Sequence, residues 1–144
     1  AVHKDSFDQL NHLSDVLAQR NRSDLLDRLE TYRPWGSFKV LAKGDGFLVK
    51  QLTIAAHGQI SLQSHRHRCE HWVVVSGAGW VELNGKCTLL SVGMAITIEQ
   101  GAKHRLSNQD SSILQVIEVQ SGAVLDETDI ARYDDAYERH LENK

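Results

Sequence analysis

The chain has 144 residues, of which 41% are apolar and 24% charged, a composition typical of one soluble globular domain with its own core. The formal net charge of −3 argues against binding of nucleic acid or an anionic membrane by bulk electrostatics. No apolar stretch approaches the length that crosses a bilayer, and the first residues lack the apolar core of a signal peptide. Two cysteines, Cys69 and Cys87, are too few for a disulfide scaffold and favour a reducing, cytoplasmic setting.

Leucines at helical spacing mark the N-terminal region, residues 1–32. Ser6 and Gln9 fit a capping box at the start of a first helix, and Ser23 is placed to cap a second short helix. The apolar residues that repeat with a period of about 3.6 are Phe7, Leu10, Leu13, Leu17, Leu25, Leu26 and Leu29. We expect these helices to pack on the rest of the protein or on a second subunit.

From Trp35 onward the apolar period changes to two, which predicts strands. The predicted strands cover residues 36–40, 47–54, 59–64, 71–76, 79–83, 86–90, 94–98, 104–107 and 113–120. Asn84-Gly85 between two apolar runs indicates a tight hairpin. Many short strands without an intervening helix predict an all-β barrel or sandwich rather than a parallel α/β fold. The tail from Asp126 to Lys144 returns to helical spacing and predicts a short C-terminal helix.

Three histidines and one glutamate are spaced as metal ligands. His65 and His67 lie two residues apart at the end of a predicted strand, where residues i and i+2 share a face and can converge on one point. Glu70 follows after a short turn, and His104 lies in a distant predicted strand. Exposed surface histidines are the alternative interpretation, but the third histidine and the spaced glycines favour a metal site. Such ligands suit a borderline divalent ion, namely Zn, Co, Mn, Ni or Fe.

The spacing around these ligands resembles the two cupin motifs. The first motif is matched at Gly58, His65, His67, Glu70 and Gly77, and the second at Gly93, Gly101, His104 and Asn108. The resemblance implies a cupin fold, a double-stranded β-helix or jelly-roll barrel.

The match to the first motif has two departures. Six residues, rather than the usual five, separate Gly58 from His65, and two, rather than three or four, separate His67 from Glu70. The short gap makes His71 a rival for the place of the carboxylate. Strand alternation favours Glu70, because it points His71 to the other face.

Longer blocks of the sequence resemble the type II phosphomannose isomerases. The blocks are residues 33–37, 61–63, 67–72, 75–77, 104–106, 117–122 and 129–135, which match in order. In that family the module is often the C-terminal part of a bifunctional protein with a mannose-1-phosphate guanylyltransferase, which this chain has no room to hold. We therefore expect a helical segment over 1–32 and a cupin domain with a helical tail over 33–144.

The resemblance implies a mannose-6-phosphate isomerase, an enzyme of carbohydrate metabolism and polysaccharide biosynthesis that interconverts mannose 6-phosphate and fructose 6-phosphate. Such a reaction moves a proton between neighbouring carbons, with a divalent ion as Lewis acid and a side chain as general base. Our candidates for the base are His71, beside the ligands, and Glu118, on a late strand. Lys50 is a third catalytic candidate, as a cation near the developing oxyanion.

Three arginines are candidates for binding the phosphate, because a guanidinium offers paired donors in a planar fork. They are Arg68, Arg105 and Arg132, and a solvated surface position is the alternative for each. Gln63 and Gln120 are candidates for holding sugar hydroxyls, since amides both donate and accept.

Two other functions are compatible with this pattern. One is a non-catalytic cupin that binds a sugar or sugar nucleotide, and the other is a metal-dependent dioxygenase, which would need no arginines for a phosphate. Cupins often pair, so the resemblance also implies a homodimer, for which Leu10, Leu13 and Leu17 offer apolar surface.

Overall fold

The structure, a computed structural model, describes residues 4–19 and 30–137. Within these ranges one helix, α1 (Lys4–Gln19), precedes eleven strands. The strands are β1 (Thr31–Arg33), β2 (Gly36–Gly44), β3 (Phe47–Ile54), β4 (Leu62–Ser64), β5 (Arg68–Ser76), β6 (Ala78–Leu83), β7 (Lys86–Ser91), β8 (Ala95–Ile98), β9 (His104–Ser107), β10 (Leu114–Gly122) and β11 (Ala131–Asp134). No helix in the described residues is long and apolar enough to cross a membrane.

The strands form two antiparallel sheets. One sheet has six strands in the order β1-β2-β3-β10-β5-β8, and the other has five in the order β11-β4-β9-β6-β7. Side chains from both sheets share one buried core, with Ile54, Trp72 and Leu114 from the first sheet and Val81 and Leu106 from the second. Each such side chain stabilises the fold by about 2 kcal/mol on burial. The all-β prediction is confirmed.

Three neighbouring strands change from apolar to polar along their inward faces. On β10 the buried residues are first Leu114 and Val116, then Glu118 and Gln120. The partner strands follow the same order, because antiparallel register sets Glu118 opposite Lys50 of β3 and Gln120 opposite Glu70 of β5. One end of the core is therefore hydrophobic, and the other end is lined with buried polar side chains that must find partners.

The hairpin predicted at Asn84-Gly85 is confirmed. The two residues connect β6 to β7 and have positive φ angles of 49° and 84°. A two-residue turn with positive φ at both positions matches the right-handed twist of the strands it joins. Leu83 and Lys86 then pair directly across the turn.

The helical predictions fare differently at the two ends of the chain. Helix α1 confirms the first N-terminal helix, and it lies against β1. The second predicted helix, capped by Ser23, falls mostly on residues 20–29, which lie outside the described residues.

The C-terminal helix is not found in the described part of the tail. Residues 131–134 form β11 instead, which pairs with β4 so that Ala131 faces Ser64 and Arg132 faces Gln63. The Tyr133 hydroxyl also lies 2.9 Å from the Ser64 hydroxyl. Pairing with a strand remote in sequence has overridden the local helical pattern. Residues 138–144 lie outside the described residues.

Candidate active site

The polar end of the core opens into a small cavity of about 70 Å³. Its charged lining comprises three carboxylates, of Glu70, Glu118 and Glu127, and four cations, of Arg33, Lys50, Arg68 and Arg132. Apolar and amide side chains complete it, namely Trp35, Phe38, Leu52, Ile60, Ile130, Gln63 and Gln120.

Three of the four predicted metal ligands come together, and one of them, Glu70, lines this cavity. The ligand atoms of His65, Glu70 and His104 all lie within 4.8 Å of one another, and the three side chains are buried. His65 Nε2 is 3.1 Å from one oxygen of Glu70, and His104 Nε2 is 3.6 Å from the other. Strands β5 and β9 bring Glu70 and His104 from different sheets, so this group exists only in the folded chain.

Both histidines are held in the tautomer that a metal ligand needs. His65 Nδ1 is 2.5 Å from the carbonyl oxygen of Asp129, and His104 Nδ1 is 2.9 Å from that of Ala102. A carbonyl only accepts, so each Nδ1 donates, and in a neutral imidazole the lone pair of Nε2 then points at Glu70.

The group fits a cation between its ligand atoms. His104 Nε2 is buried and has no hydrogen-bond partner among the described residues, although a carboxylate oxygen faces it. Two acceptors face each other there, which is unfavourable unless a positive charge lies between them. Burial alone would raise the pKa of Glu70, but hydrogen bonds and charge from His104 and His65, when these rings are protonated, outweigh this and lower the pKa well below its usual value. The donor set of two imidazoles and one ionised carboxylate suits a divalent metal.

His67, the fourth predicted ligand, is not brought into this group. The chain bends at Arg66 and His67 between β4 and β5, and the side chain of His67 is exposed. Its backbone N–H instead donates to the carboxylate of Asp129 at 3.0 Å. The expectation that His65 and His67 share a strand face is not met, because the strand ends before His65. A ligand role for His67 stays a prediction.

Gln63 lies beside the His65 ring, where His67 was expected. It stands two residues before His65 and directly opposite His104 in the β4–β9 pair. Its side-chain nitrogen lies 3.4 Å from His65 Nε2, and an amide rotated by half a turn would present its oxygen there. The sequence contained a partial signal for this position, since four residues separate His65 from Glu70, which is a usual gap of the motif, although only four, rather than five, then separate Gly58 from Gln63.

Arg68 lies inside the site, as an inward-facing neighbour of Glu70 on β5. Its Nε donates to Glu70 at 3.1 Å, and one terminal nitrogen donates to the carbonyl oxygen of Asp126 at 3.1 Å. Arg68 therefore joins the carboxylate of the candidate metal group to the loop between β10 and β11.

That loop also orients His65, through Asp129, which the sequence analysis did not single out. The Asp129 carboxylate accepts the backbone N–H groups of Arg66 and His67, each at 3.0 Å, while its carbonyl oxygen binds His65. Asp129, which is 64 positions from His65 in the sequence, thus holds both the bend at Arg66 and His67 and the His65 ring in place. No local pattern in the sequence indicates this contact.

Of the three candidates for a general base or oxyanion cation, two line the cavity. Glu118 and Lys50 are both buried and face each other across β10 and β3. Burial, followed by the negative charge of Glu70, raises the pKa of Glu118 to about 7, against the opposing charge of Lys50. The indole N–H of Trp72 donates to both Glu118 and Glu70, at 3.1 and 3.2 Å.

His71, the third candidate, points to the opposite face of β5. Its side chain is exposed and its Nδ1 lies 3.1 Å from the hydroxyl of Thr97. This arrangement follows from strand alternation, which turns His71 outward when Glu70 faces inward. The structure therefore does not place His71 beside the cavity.

Arg105 is likewise placed outside the cavity, on the outer face of the second sheet. Its guanidinium pairs with Glu82 at 2.8 Å and with Asp134 at 2.9 Å. Strand alternation explains the position, because His104, the preceding residue on β9, points inward. The other predicted substrate ligands, Arg132, Gln63 and Gln120, do line the cavity.

A family model and the related proteins found by comparison agree on one family. The family model described as mannose-6-phosphate isomerase C-terminal matches residues 20–135. The alginate biosynthesis protein AlgA of Pseudomonas aeruginosa is 41% identical over 98% of this chain, and a mannose-1-phosphate guanylyltransferase of Escherichia coli is 42% identical over 87%. The chain spans 29% and 26% of the length of these two relatives.

The cupin fold is also found by structural comparison. The cupin domain of Schizosaccharomyces pombe Cnp3 superimposes with a TM-score of 0.58 at 12% sequence identity, over 60% of this chain and 64% of that one. At that identity the likeness concerns the fold alone, and it confirms the predicted fold class.

Proposed function

The chain belongs to the mannose-6-phosphate isomerase C-terminal family, and from this premise we propose that it is a metal-dependent isomerase that interconverts mannose 6-phosphate and fructose 6-phosphate. The observation that carries the proposal is the position of Glu118. This buried carboxyl group, with a pKa of about 7, lines the same cavity as Glu70, which belongs to the candidate metal group with His65 and His104.

Glu118 is the general base in this proposal. Proton transfer between C2 and C1 of the sugar needs a group that takes up and returns a proton near neutral pH, and a pKa of about 7 meets that requirement. Trp72 and Gln120 both donate to the carboxylate and so fix its direction. Rigid strands hold all three side chains, which favours a constant distance to a bound sugar.

The metal ligands in this proposal are His65, Glu70 and His104, with the side-chain oxygen of Gln63 as a fourth donor. A divalent ion held there would supply Lewis-acid polarisation of the sugar carbonyl. Lys50, opposite Glu118, would stabilise negative charge on the oxygen as the proton leaves carbon. The identity of the ion is left to experiment.

Two features favour an isomerase over the alternatives. A non-catalytic sugar-binding cupin has no need of a buried carboxyl group whose pKa lies near neutrality. A dioxygenase has no need of four cations around its cavity, whereas a phosphosugar supplies the dianion that they would bind. We also propose, from the sequence, a cytoplasmic homodimer, which sedimentation at high micromolar concentration would test.

The test is a coupled assay for fructose 6-phosphate formed from mannose 6-phosphate. Protein stripped of metal with a chelator is assayed alone and after addition of Zn, Co, Mn, Ni or Fe. We expect turnover that needs one of these ions and that is lost in Glu118→Gln but retained in Asp45→Asn, a matched loss of charge in the β2–β3 turn. Stoichiometric metal binding without turnover with any ion would refute the isomerase and leave a binding protein.

A further inference from the structure

Glu127 lies at the mouth of the cavity among its cations. Its side chain is 57% exposed, and one carboxylate oxygen is 3.6 Å from Nζ of Lys50. We propose that the cations around Glu127 form the subsite for the phosphate group of the substrate, and that Glu127 occupies this subsite as an internal anion which the phosphate displaces. The phosphosugar rests on the proposed function, whereas the subsite can be tested with inorganic phosphate alone.

The cations come from four separate strands and line the same cavity as this carboxylate. They are Arg33 of β1, Lys50 of β3, Arg68 of β5 and Arg132 of β11, and all four line the cavity with Glu127. Partial burial would raise the pKa of Glu127, but the positive charges of Lys50 and the three arginines outweigh it and hold the pKa below its usual value. The carboxylate is therefore in the kind of field that also stabilises a phosphate dianion.

The charge balance of the cavity favours a stronger anion than a single carboxylate. Four cations face three carboxylates in the cavity lining, and one cation, Arg68, is paired with Glu70 at 3.1 Å. Glu118 is partly protonated near neutral pH, because its pKa is about 7. If Glu127 moves aside, the four cations are left with a surplus of positive charge that a phosphate dianion can neutralise.

The loop that carries Glu127 is built so that this side chain can leave without disturbing the metal group. Asp126 accepts the backbone N–H of Thr128 at 2.9 Å, which forms a local turn around Glu127. Asp129, two residues after Glu127, is separately anchored to Arg66 and His67. Lys50 is only 11% exposed, so the partner of Glu127 is a preorganised cation inside the cavity.

An ion pair that is half exposed contributes little to the stability of a fold. The contribution of the Lys50–Glu127 contact to stability is therefore too small to explain why Glu127 lies at the cavity. It instead supplies selectivity, because a ligand must carry more negative charge than the carboxylate it replaces. Neutral sugars would leave Glu127 in place, and sugar phosphates would displace it.

The test is calorimetric titration of inorganic phosphate into chelator-treated protein at pH 8, where phosphate is mainly a dianion. We compare the natural protein with Glu127→Gln and with Asp45→Asn, which removes one negative charge in the β2–β3 turn, outside the cavity lining. Glu127→Gln should bind phosphate about tenfold more tightly, because one competing charge about 4 Å from Lys50 is gone. Asp45→Asn should bind phosphate as the natural protein does.

A second variant ties the gain to the subsite. Adding Lys50→Met to Glu127→Gln should reverse the gain in phosphate affinity, because a subsite cation is lost. Unchanged or weaker phosphate binding in Glu127→Gln would overturn the inference, and so would a double variant that binds phosphate as tightly as Glu127→Gln alone. Thermal melts establish that each variant is folded, and Glu127→Ala serves as a second substitution of the same residue.

This result is separable from the proposed function. Tighter phosphate binding in Glu127→Gln without isomerase turnover in any protein would keep the subsite and refute the isomerase. Turnover with unchanged phosphate affinity in Glu127→Gln would keep the isomerase and refute the role of Glu127. In an active enzyme, the KM for mannose 6-phosphate should fall in Glu127→Gln along with the dissociation constant for phosphate.

Discussion

Lys50 and Glu118 face each other across β3 and β10, and both side chains are buried in the same cavity. The pairing sets a cation beside a carboxyl group whose pKa is about 7. Burial and the charge of Glu70 raise this pKa, and the charge of Lys50 lowers it. Lys50 therefore helps to set the pKa of Glu118, the group that we propose as the base.

Replacing Glu118 with Gln should reduce turnover at least about 100-fold, because a general base commonly contributes that much. Metal binding should survive, since Glu118 is not among the proposed ligands. His71→Gln is the comparison, because His71 was an equal candidate from sequence and lies on the outer face. Coupled assays with metal titrations on both variants decide between the two, and a large loss in His71→Gln with none in Glu118→Gln would reverse the assignment.

The turnover rate of the natural enzyme should rise with pH through about 7, since only the deprotonated Glu118 accepts a proton. In Lys50→Met the rise should move to higher pH, because loss of the cation raises the pKa of Glu118 further. Lys50→Arg, which keeps the charge, should leave the midpoint nearly in place. A pH profile of kcat for the natural enzyme and the two variants measures these midpoints. An unshifted midpoint in Lys50→Met would contradict the proposed effect of Lys50 on the pKa of Glu118.

Glu118 should also make the stability of the metal-free protein depend on pH. Its pKa rises from 4.5 to about 7 on folding, so its stabilising contribution is complete below pH 4.5 and is lost as the pH rises through 7. The loss amounts to at most about 3 kcal/mol at pH 8. The glutamine in the Glu118→Gln variant cannot ionise. The free energy of unfolding of this variant should therefore rise relative to that of the natural protein between pH 5 and pH 8. Denaturant titrations at both pH values test this, and a constant difference between the two proteins would contradict it.

Metal binding should distinguish the buried ligands from the exposed histidine. His104→Ala should lower the affinity for Zn or Co by more than about 100-fold, since it removes one of few ligands. Gln63→Ala should weaken binding by about tenfold, because an amide is a weaker donor than an imidazole. His67→Ala should bind metal almost as the natural protein does, because its side chain is exposed and lies outside the buried group. Equilibrium titration with a competing chelator measures the affinities. A large loss of metal affinity in His67→Ala would show that His67 is a ligand, as the sequence motif predicted.

The sequence by itself determined most of the strands and the inward face of the central ones. The alternation of apolar residues along β5 predicted that Glu70 and Trp72 point inward and that His71 points outward, as the structure has them. Asn84-Gly85 determined a hairpin without help from the rest of the chain. These features depend on local backbone geometry, which repeats every two residues and can be read from a short window.

Only the tertiary structure decided which side chains meet at the cavity. The bend after β4 left His67 exposed and Gln63 beside His65. Pairing with β4 made residues 131–134, part of the tail predicted as helical, a strand that carries Arg132. Glu127, which the sequence analysis did not single out, lines the cavity, whereas the predicted ligand Arg105 does not. Sequence spacing reports the direction of a side chain only while a strand continues, whereas contacts across bends and between strands far apart in sequence depend on how the sheets pair and pack.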